Sequence, residues 1–309
     1  MMAQLLMSRT TSPLRYPGGK TALYKLMSII LRLNGLERRP YAEPFAGGAG
    51  LALALLYGGH VSDIHLNDLD PAIWSFWHCV LNRTDELVDM IQKTPVTADE
   101  WHHQKAVYLA QDESDVVALG FATFFLNRTN RSGIIKAAGM IGGKSQEGAY
   151  KLDCRYNKDD LISRIVRISK YKGRIRIYRR DALDFMKEIE RLSIKPFVCI
   201  DPPYFHKGST LYTNFYNPED HESLARAILE LKCPWVVTYD NAKEIRQLYK
   251  DQRQYNFDIN YSVQAKRLGT ELLIPSEGLR LPVSVRERQV HRPQYPVSGI
   301  SADMLQPAL

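Results

Sequence analysis

Apolar positions along the chain recur at two spacings, and the switches between them predict alternating helices and strands. Leu23, Leu26, Met27, Ile30 and Leu31 fall on one helical face, which predicts a helix running through Leu33 and stopped by Asn34-Gly35. A short strand follows near Tyr41 to Phe45, then the turn Ala46-Gly-Gly-Ala-Gly50, an alanine- and leucine-rich helix to Tyr57, and a strand from Val61 to Leu66 that stops at Asn67-Asp68. Strand, glycine turn, helix and strand make a βαβ unit. From Pro71 to about Phe125 the spacing of Trp74, Trp77, Val80 and the apolar run from Val116 predicts several helices.

Glycines punctuate Thr129 to Gly143, which predicts a β-hairpin. Asp159 to Lys170 then reads as an amphipathic helix, with Leu161, Ile165 and Ile168 on one side and Arg164, Arg167 and Lys170 on the other. Arg174-Ile-Arg-Ile-Tyr178 alternates as a strand with one buried face and ends at Asp181, before a helix from Ala182 to Leu192. Pro196 to Ile200 is wholly apolar, the pattern of a strand covered on both faces of a parallel sheet. A helix from Pro218 to Lys232, a strand from Trp235 to Tyr239, and late strands at Tyr255 to Val263 and Glu271 to Ile274 follow. Beyond Pro275 the chain is rich in proline and arginine and predicts a weakly ordered tail.

With 45% hydrophobic and 24% charged residues, the 309-residue chain is neither disordered nor fibrous and has enough apolar surface for a large core. Its longest strongly apolar stretch, Leu51 to Leu56, is far too short to span a bilayer, and the start lacks a secretory pattern. Four scattered cysteines without a CxxC spacing signal neither zinc nor a disulfide framework. The expectation is a cytoplasmic protein with no metal and no membrane partner. The net charge is +7, but Arg128 to Arg180 holds 15 Lys and Arg against 4 Asp and Glu, a local +11 that leaves the remainder at −4. A solvated face is the bland explanation of a charge run; this concentration favours a surface for a polyanion.

Two strings carry candidate chemistry. The turn at Gly47 followed 21 residues later by Asp68 suits an adenosine-containing cofactor, because glycine lets the backbone approach a ligand while the carboxylate takes ribose hydroxyls. A tight strand-to-helix turn explains the glycines equally well, and the GxGxxG of dinucleotide sites is absent. Asp201-Pro-Pro-Tyr204 is more specific. Directly after an apolar strand, it presents a carboxylate, a Pro202 carbonyl and an aromatic face at the end of the sheet where α/β proteins bind ligands. Two acceptors and a stacking ring suit the exocyclic amine of a nucleobase.

Leu14-Arg-Tyr-Pro-Gly-Gly-Lys20, Glu43-Pro-Phe-Ala-Gly-Gly-Ala-Gly50, Asn67-Asp68, Phe125-Leu-Asn-Arg128 and Asp201-Pro-Pro-Tyr204, the last followed by Lys207-Gly-Ser209 and Leu211-Tyr212, together resemble the Dam-type adenine DNA methyltransferases that use S-adenosylmethionine. The resemblance runs in order from about residue 13 to 275. It implies an α/β fold, a Rossmann-like methyltransferase sheet, mostly parallel with a late antiparallel strand, plus a mainly helical inserted target-recognition domain with a β-hairpin. Residues 1–70 and 147–275 would form the cofactor-binding catalytic core, 71–146 the inserted DNA-binding domain, and 276–309 the tail.

Carried over by position, the resemblance places Tyr16 and Lys20 at the methionine end of the cofactor, the Lys20 ammonium facing its carboxylate. Glu43, Phe45 and Gly47 would form the loop beneath the cofactor, and Asp68 would hold the ribose. Asp181 matches a residue beside the cofactor adenine, although a helix N-cap ahead of Ala182 is an equal reading. Asp201, Pro202 and Tyr204 would hold the target adenine, with Asp201 also touching the cofactor. Arg128, Asn130, Arg131 and Lys136 would contact double-stranded DNA. Transfer to a cytosine amine, to RNA or to a glutamine amide are the near alternatives, although related strings that begin with Ser or Asn make Asp201 favour adenine. A non-catalytic DNA-binding subunit with the same fold is the distant alternative. Cys199 lies inside the buried strand and reads as core, not as the nucleophile a cytosine-carbon methyltransferase needs.

Overall fold

The computed structural model describes residues 11–15, 19–205, 216–261 and 267–293. A 3₁₀ turn over Lys20–Leu23 leads into α1 (Tyr24–Leu33), followed by β1 (Tyr41–Glu43), α2 (Gly50–Tyr57) and β2 (Ile64–Asn67). Four helices come next, α3 (Pro71–Asn82), α4 (Thr84–Lys93), α5 (Ala98–Ala110) and α6 (Val116–Thr129). After them run α7 (Lys158–Ser169), β3 (Ile175–Tyr178), α8 (Ala182–Ile189), β4 (Phe197–Ile200), α9 (Pro218–Glu230) and β5 (Trp235–Asp240). The chain continues through α10 (Lys243–Leu248), β6 (Gln254–Tyr261), β7 (Arg267–Pro275), α11 (Val283–Arg286) and β8 (Gln289–His291).

One mixed sheet has the order β3-β2-β1-β4-β5-β7-β6-β8, with the first five strands parallel and the last three antiparallel. Chain order reverses between β1 and β4, so the crevice beyond their carboxyl ends is the natural ligand site of a Rossmann-like sheet. The apolar strand β4 is buried throughout. Phe197 and Cys199 join the core on the face of α1 and α2, whereas Val198 and Ile200 join the opposite core with α8, α9 and α10. This period of two makes an unbroken apolar run necessary, because neither face meets water.

Polar residues fix the helix starts. Asp70 accepts from the Ala72 N–H at 2.8 Å with Pro71 opening α3, and Asn217 and Asp220 form a reciprocal capping box ahead of α9. The helices inserted after β2 are not a detached lobe. Phe76, Trp77, Phe121 and Phe124 belong to the same continuous apolar cluster as Met27 of α1 and Tyr41 of β1.

Two expectations are corrected. The hairpin predicted over Thr129 to Gly143 is reduced to one antiparallel bridge, Asn130 to Met140, enclosing a 3₁₀ turn at Arg131–Gly133. Left-handed Ser132 and Gly133, at φ 58° and 76°, curl the chain away from a ladder. The tail is also not weakly ordered from residue 276. Through residue 293 it buries Leu279, Leu281 and Val285 and adds β8 to the sheet edge, because apolar residues punctuate the prolines and arginines there.

Candidate active site

The carboxyl ends of β1, β2 and β3 are tied together by one side chain. Asn67, fully buried, donates to the carbonyls of Pro44 (3.0 Å) and Arg180 (2.9 Å) and accepts from the Arg180 N–H at 3.0 Å. The glycine turn closes above it. Gly47, at φ 45°, donates its N–H to Asp68 Oδ2 at 2.9 Å, and its carbonyl accepts from Trp77 Nε1 at 2.9 Å. Asp68 Oδ1 accepts a second N–H, from Asp70, at 3.0 Å. Burial, then the nearby Asp70 charge, pushes the Asp68 carboxyl up to about 7 despite those two bonds. Each oxygen keeps a lone pair for a further donor, so this pair of acceptors fits the hydroxyl pair of a ribose.

Glu43 ends β1 beneath the same turn. It is buried, accepts from the Tyr41 hydroxyl at 2.8 Å, and burial raises its carboxyl to about 8. Phe45 meets Tyr216 edge-to-face at 5.8 Å between ring centroids. Asp181 caps α8, accepting from the Leu183 N–H at 2.8 Å, so the capping reading of this residue is realised. Tyr16 lies outside the described residues, as do Lys207-Gly-Ser209 and Leu211-Tyr212. The segment leading to Tyr16 is clamped: the Asn127 side chain accepts from the Arg15 N–H at 2.7 Å and donates to the Arg15 carbonyl at 2.8 Å.

Beyond β4 stands a compact ionic cluster. Asp201 Oδ1 lies 3.0 Å from Lys20 Nζ and accepts from Thr238 Oγ1 at 2.9 Å. Both fixing contacts fall on one oxygen, and the side chain keeps 24% of its surface accessible. Burial raises Asp201 to about 6, with Lys20 opposing the rise and Glu271 adding to it. Lys20 is itself buried, which alone would lower its pKa, but Asp201 and Glu271 raise it above the ordinary value. Its ammonium also reaches Glu271 Oε2 at 3.0 Å and the Tyr204 hydroxyl at 3.2 Å, and that hydroxyl donates to Glu271 Oε1. Without a ligand, three partners, Asp201, Glu271 and the Tyr204 hydroxyl, take up the three N–H groups of Lys20. Pro202, Pro203 and Tyr204 are all buried beside it.

The four DNA candidates divide. Arg131 and Lys136 are exposed on the loop that the Asn130 bridge closes. Arg128 is partly buried and donates to the carbonyls of Arg155 (2.8 Å) and Pro13 (3.4 Å); burial and then neighbouring arginines lower it to about 10. Asn130 is wholly buried: it accepts from Trp101 Nε1 at 2.7 Å and donates both amide hydrogens to the carbonyls of Ile134 and Ile135, which holds the loop. Sequence reasoning missed Thr238 and Glu271, whose only signal is a polar residue within, or at the head of, an otherwise apolar strand.

A family model described as D12 class N6 adenine-specific DNA methyltransferase matches residues 16–264, most of the chain. The chain belongs to this family. The type II methyltransferase M.MjaIII of Methanocaldococcus jannaschii is 24% identical over 230 residues, covering 69% of this D12 chain and 77% of that protein. Among solved structures, a protein described as a putative RNA methyltransferase from Pyrococcus horikoshii aligns with 11% identity over 85% of this chain and 84% of its own, at a TM-score of 0.40. The rRNA methyltransferase aviRa of Streptomyces viridochromogenes aligns with 13% identity over 78% and 76%, at a TM-score of 0.31. Membership makes this D12 protein a methyltransferase of adenine in DNA and implies S-adenosylmethionine as the methyl source. Among the described residues no helix is long and apolar enough to cross a membrane.

Proposed function

We propose that the chain transfers a methyl group to the exocyclic 6-amino group of an adenine turned out of double-stranded DNA at a specific site. Asp201 carries this reading: one of its oxygens is pinned by Lys20 and Thr238 at the carboxyl end of β4, and part of its surface remains open. An amine there donates one hydrogen to Asp201 and one to the Pro202 carbonyl, with its ring against Tyr204. Accepting both hydrogens draws the nitrogen lone pair out of the aromatic ring, and positive charge growing on that nitrogen meets a carboxylate already in place.

S-adenosylmethionine, when bound, supplies a methyl group already electrophilic on sulfonium sulfur. The residues fit this donor: Asp68 for the ribose, Glu43 and Gly47 beneath it, and Phe45 with Tyr216 as an aromatic wall. The protein's main work is alignment, which is worth roughly 7–11 kcal/mol, against 10²–10⁴-fold for proton transfer by a general base. Duplex DNA hides its amines in base pairs, so the target must leave the stack to reach Asp201. Arg131 and Lys136, both exposed, are the proposed DNA contacts, and the free cysteines, Cys154 exposed among them, suit a reducing cytoplasm.

Asp201→Ala tests the reading, because Glu271 keeps Lys20 paired when Asp201 is removed. With tritiated cofactor and mixed-sequence duplex DNA, the variant should lose transfer at least about 10²-fold while binding DNA as before. Undiminished transfer by the variant rejects Asp201 as the amine acceptor.

A further inference from the structure

Four parts of the chain that are distant in sequence meet in the cluster: Lys20 sits in the 3₁₀ turn ahead of α1 and contacts Asp201 and Tyr204 after β4 and Glu271 on β7, while Thr238 on β5 donates to Asp201. The antiparallel insertion of β7 beside β5 puts Glu271 in register with Asp240, the last residue of β5, and so at the carboxyl edge where the site opens. Glu271 is 1% exposed, and its two oxygens do different things. Oε2 receives the Lys20 ammonium at 3.0 Å, and Oε1 receives the Tyr204 hydroxyl.

We infer that Glu271 is a positioning residue for methyl transfer, holding Lys20 between two carboxylates and anchoring Tyr204, so that amine acceptor and stacking ring keep one spacing. The inference rests on the proposed function. Without Glu271 the ammonium would be shared only between Asp201 and a neutral hydroxyl, and would draw the Asp201 carboxylate toward itself. With it, one cation faces two anions, and the cluster keeps a negative balance suited to an amine that becomes positive.

Among the described residues, Lys20, Asp201 and Tyr204 face Glu271 directly; Asp240, its register partner on β5, accepts from the Phe205 N–H at 3.0 Å; its partner on β6 is the apolar Phe257. Glu43, whose carboxyl burial raises to about 8, also interacts electrostatically with Asp201. Glu271 raises the Asp201 carboxyl further after burial, against Lys20.

The test is the pH profile of single-turnover methyl transfer in the full chain, with Glu271→Gln and Glu271→Ala. Gln keeps the volume and one acceptor but removes the charge. The acid limb of the profile should then move to lower pH than in the wild type, because Lys20 acts on Asp201 with Glu271 no longer opposing it. The rate should fall about tenfold or more, while cofactor affinity changes less than twofold, since Glu271 faces the amine side of the site. Ala, which also removes the acceptor of the Tyr204 hydroxyl, should cost about 10²-fold if it folds. A folded Gln variant whose acid limb stays in place, whether or not its rate falls, overturns the inference. If instead the wild type does not methylate adenine in DNA, the proposed function itself fails.

Discussion

Taking an ammonium out of water costs several kcal/mol unless charges and hydrogen bonds replace its hydration, and Lys20 obtains both from Asp201, Glu271 and the Tyr204 hydroxyl. Asp68 and Glu43 have no such cation among the described residues. Asp68 at about 7 and Glu43 at about 8 both bind a proton more tightly folded than unfolded. Their raised values therefore take stability away as pH climbs from the ordinary carboxylate range toward 8. A ligand that donates hydrogen bonds to ionised Asp68 must meet this cost below pH 7. Cofactor affinity should accordingly rise about tenfold between pH 6 and 8, and Asp68→Asn should both weaken binding and flatten that part of the dependence. Calorimetric titration at several pH values checks it; an equally steep dependence in the variant would assign the proton elsewhere. Asp201 and Asp68 are legible in the sequence because each follows a strand directly. Glu271 is not, because 251 residues separate it from Lys20 and only the placement of β7 joins them.

At the scale of elements, the strands follow the apolar pattern closely, because burial on one face or both leaves few registers open. The segment between α6 and α7 does not. Its glycines permit a hairpin, but the buried Asn130 side chain gathers the carbonyls of Ile134 and Ile135 and curls the loop instead. The stripe on α7 keeps the division read from the sequence, with Leu161, Ile165 and Ile168 buried. Arg164 is bound to Asp160 at 2.6 Å and to the Ser12 carbonyl at 3.1 Å, and Arg167 stacks 3.9 Å above the Tyr57 ring. Those two arginines tie elements together, although Arg167 is exposed as Arg131 and Lys136 are. Replacing Arg131 and Lys136 with Gln should lower the slope of log affinity against log salt by about 0.9 for each lost phosphate contact. Arg167→Gln should leave that slope alone and lower the unfolding temperature instead. A slope unchanged in the double variant would remove this loop from the DNA interface.

Across the whole molecule, the basic run from Arg128 to Arg180 is partly neutralised by acids from other parts of the chain. Arg176 pairs with Asp63 at 3.3 Å, Arg179 with Glu113 at 2.6 Å, and Arg180 with Glu188 at 2.8 Å. An excess that is local in sequence is thus less local in space, which composition by itself does not disclose. The βαβ alternation did disclose the order of the parallel strands' connections, and the two core faces follow from the period-two burial of β4. The inserted helices share their core with α1 and β1, so the loop carrying Arg131 and Lys136 and the Asp201 cluster are carried on one packed framework. That framework serves one central claim, that Asp201, held by Lys20 and Thr238, receives the amine of an extruded adenine. The most direct measurement is nucleoside analysis of duplex DNA after incubation with the wild-type chain and labelled S-adenosylmethionine. The account predicts label in 6-methyladenine alone; label in a methylated cytosine, or in RNA or protein supplied alongside instead of the DNA, would contradict it.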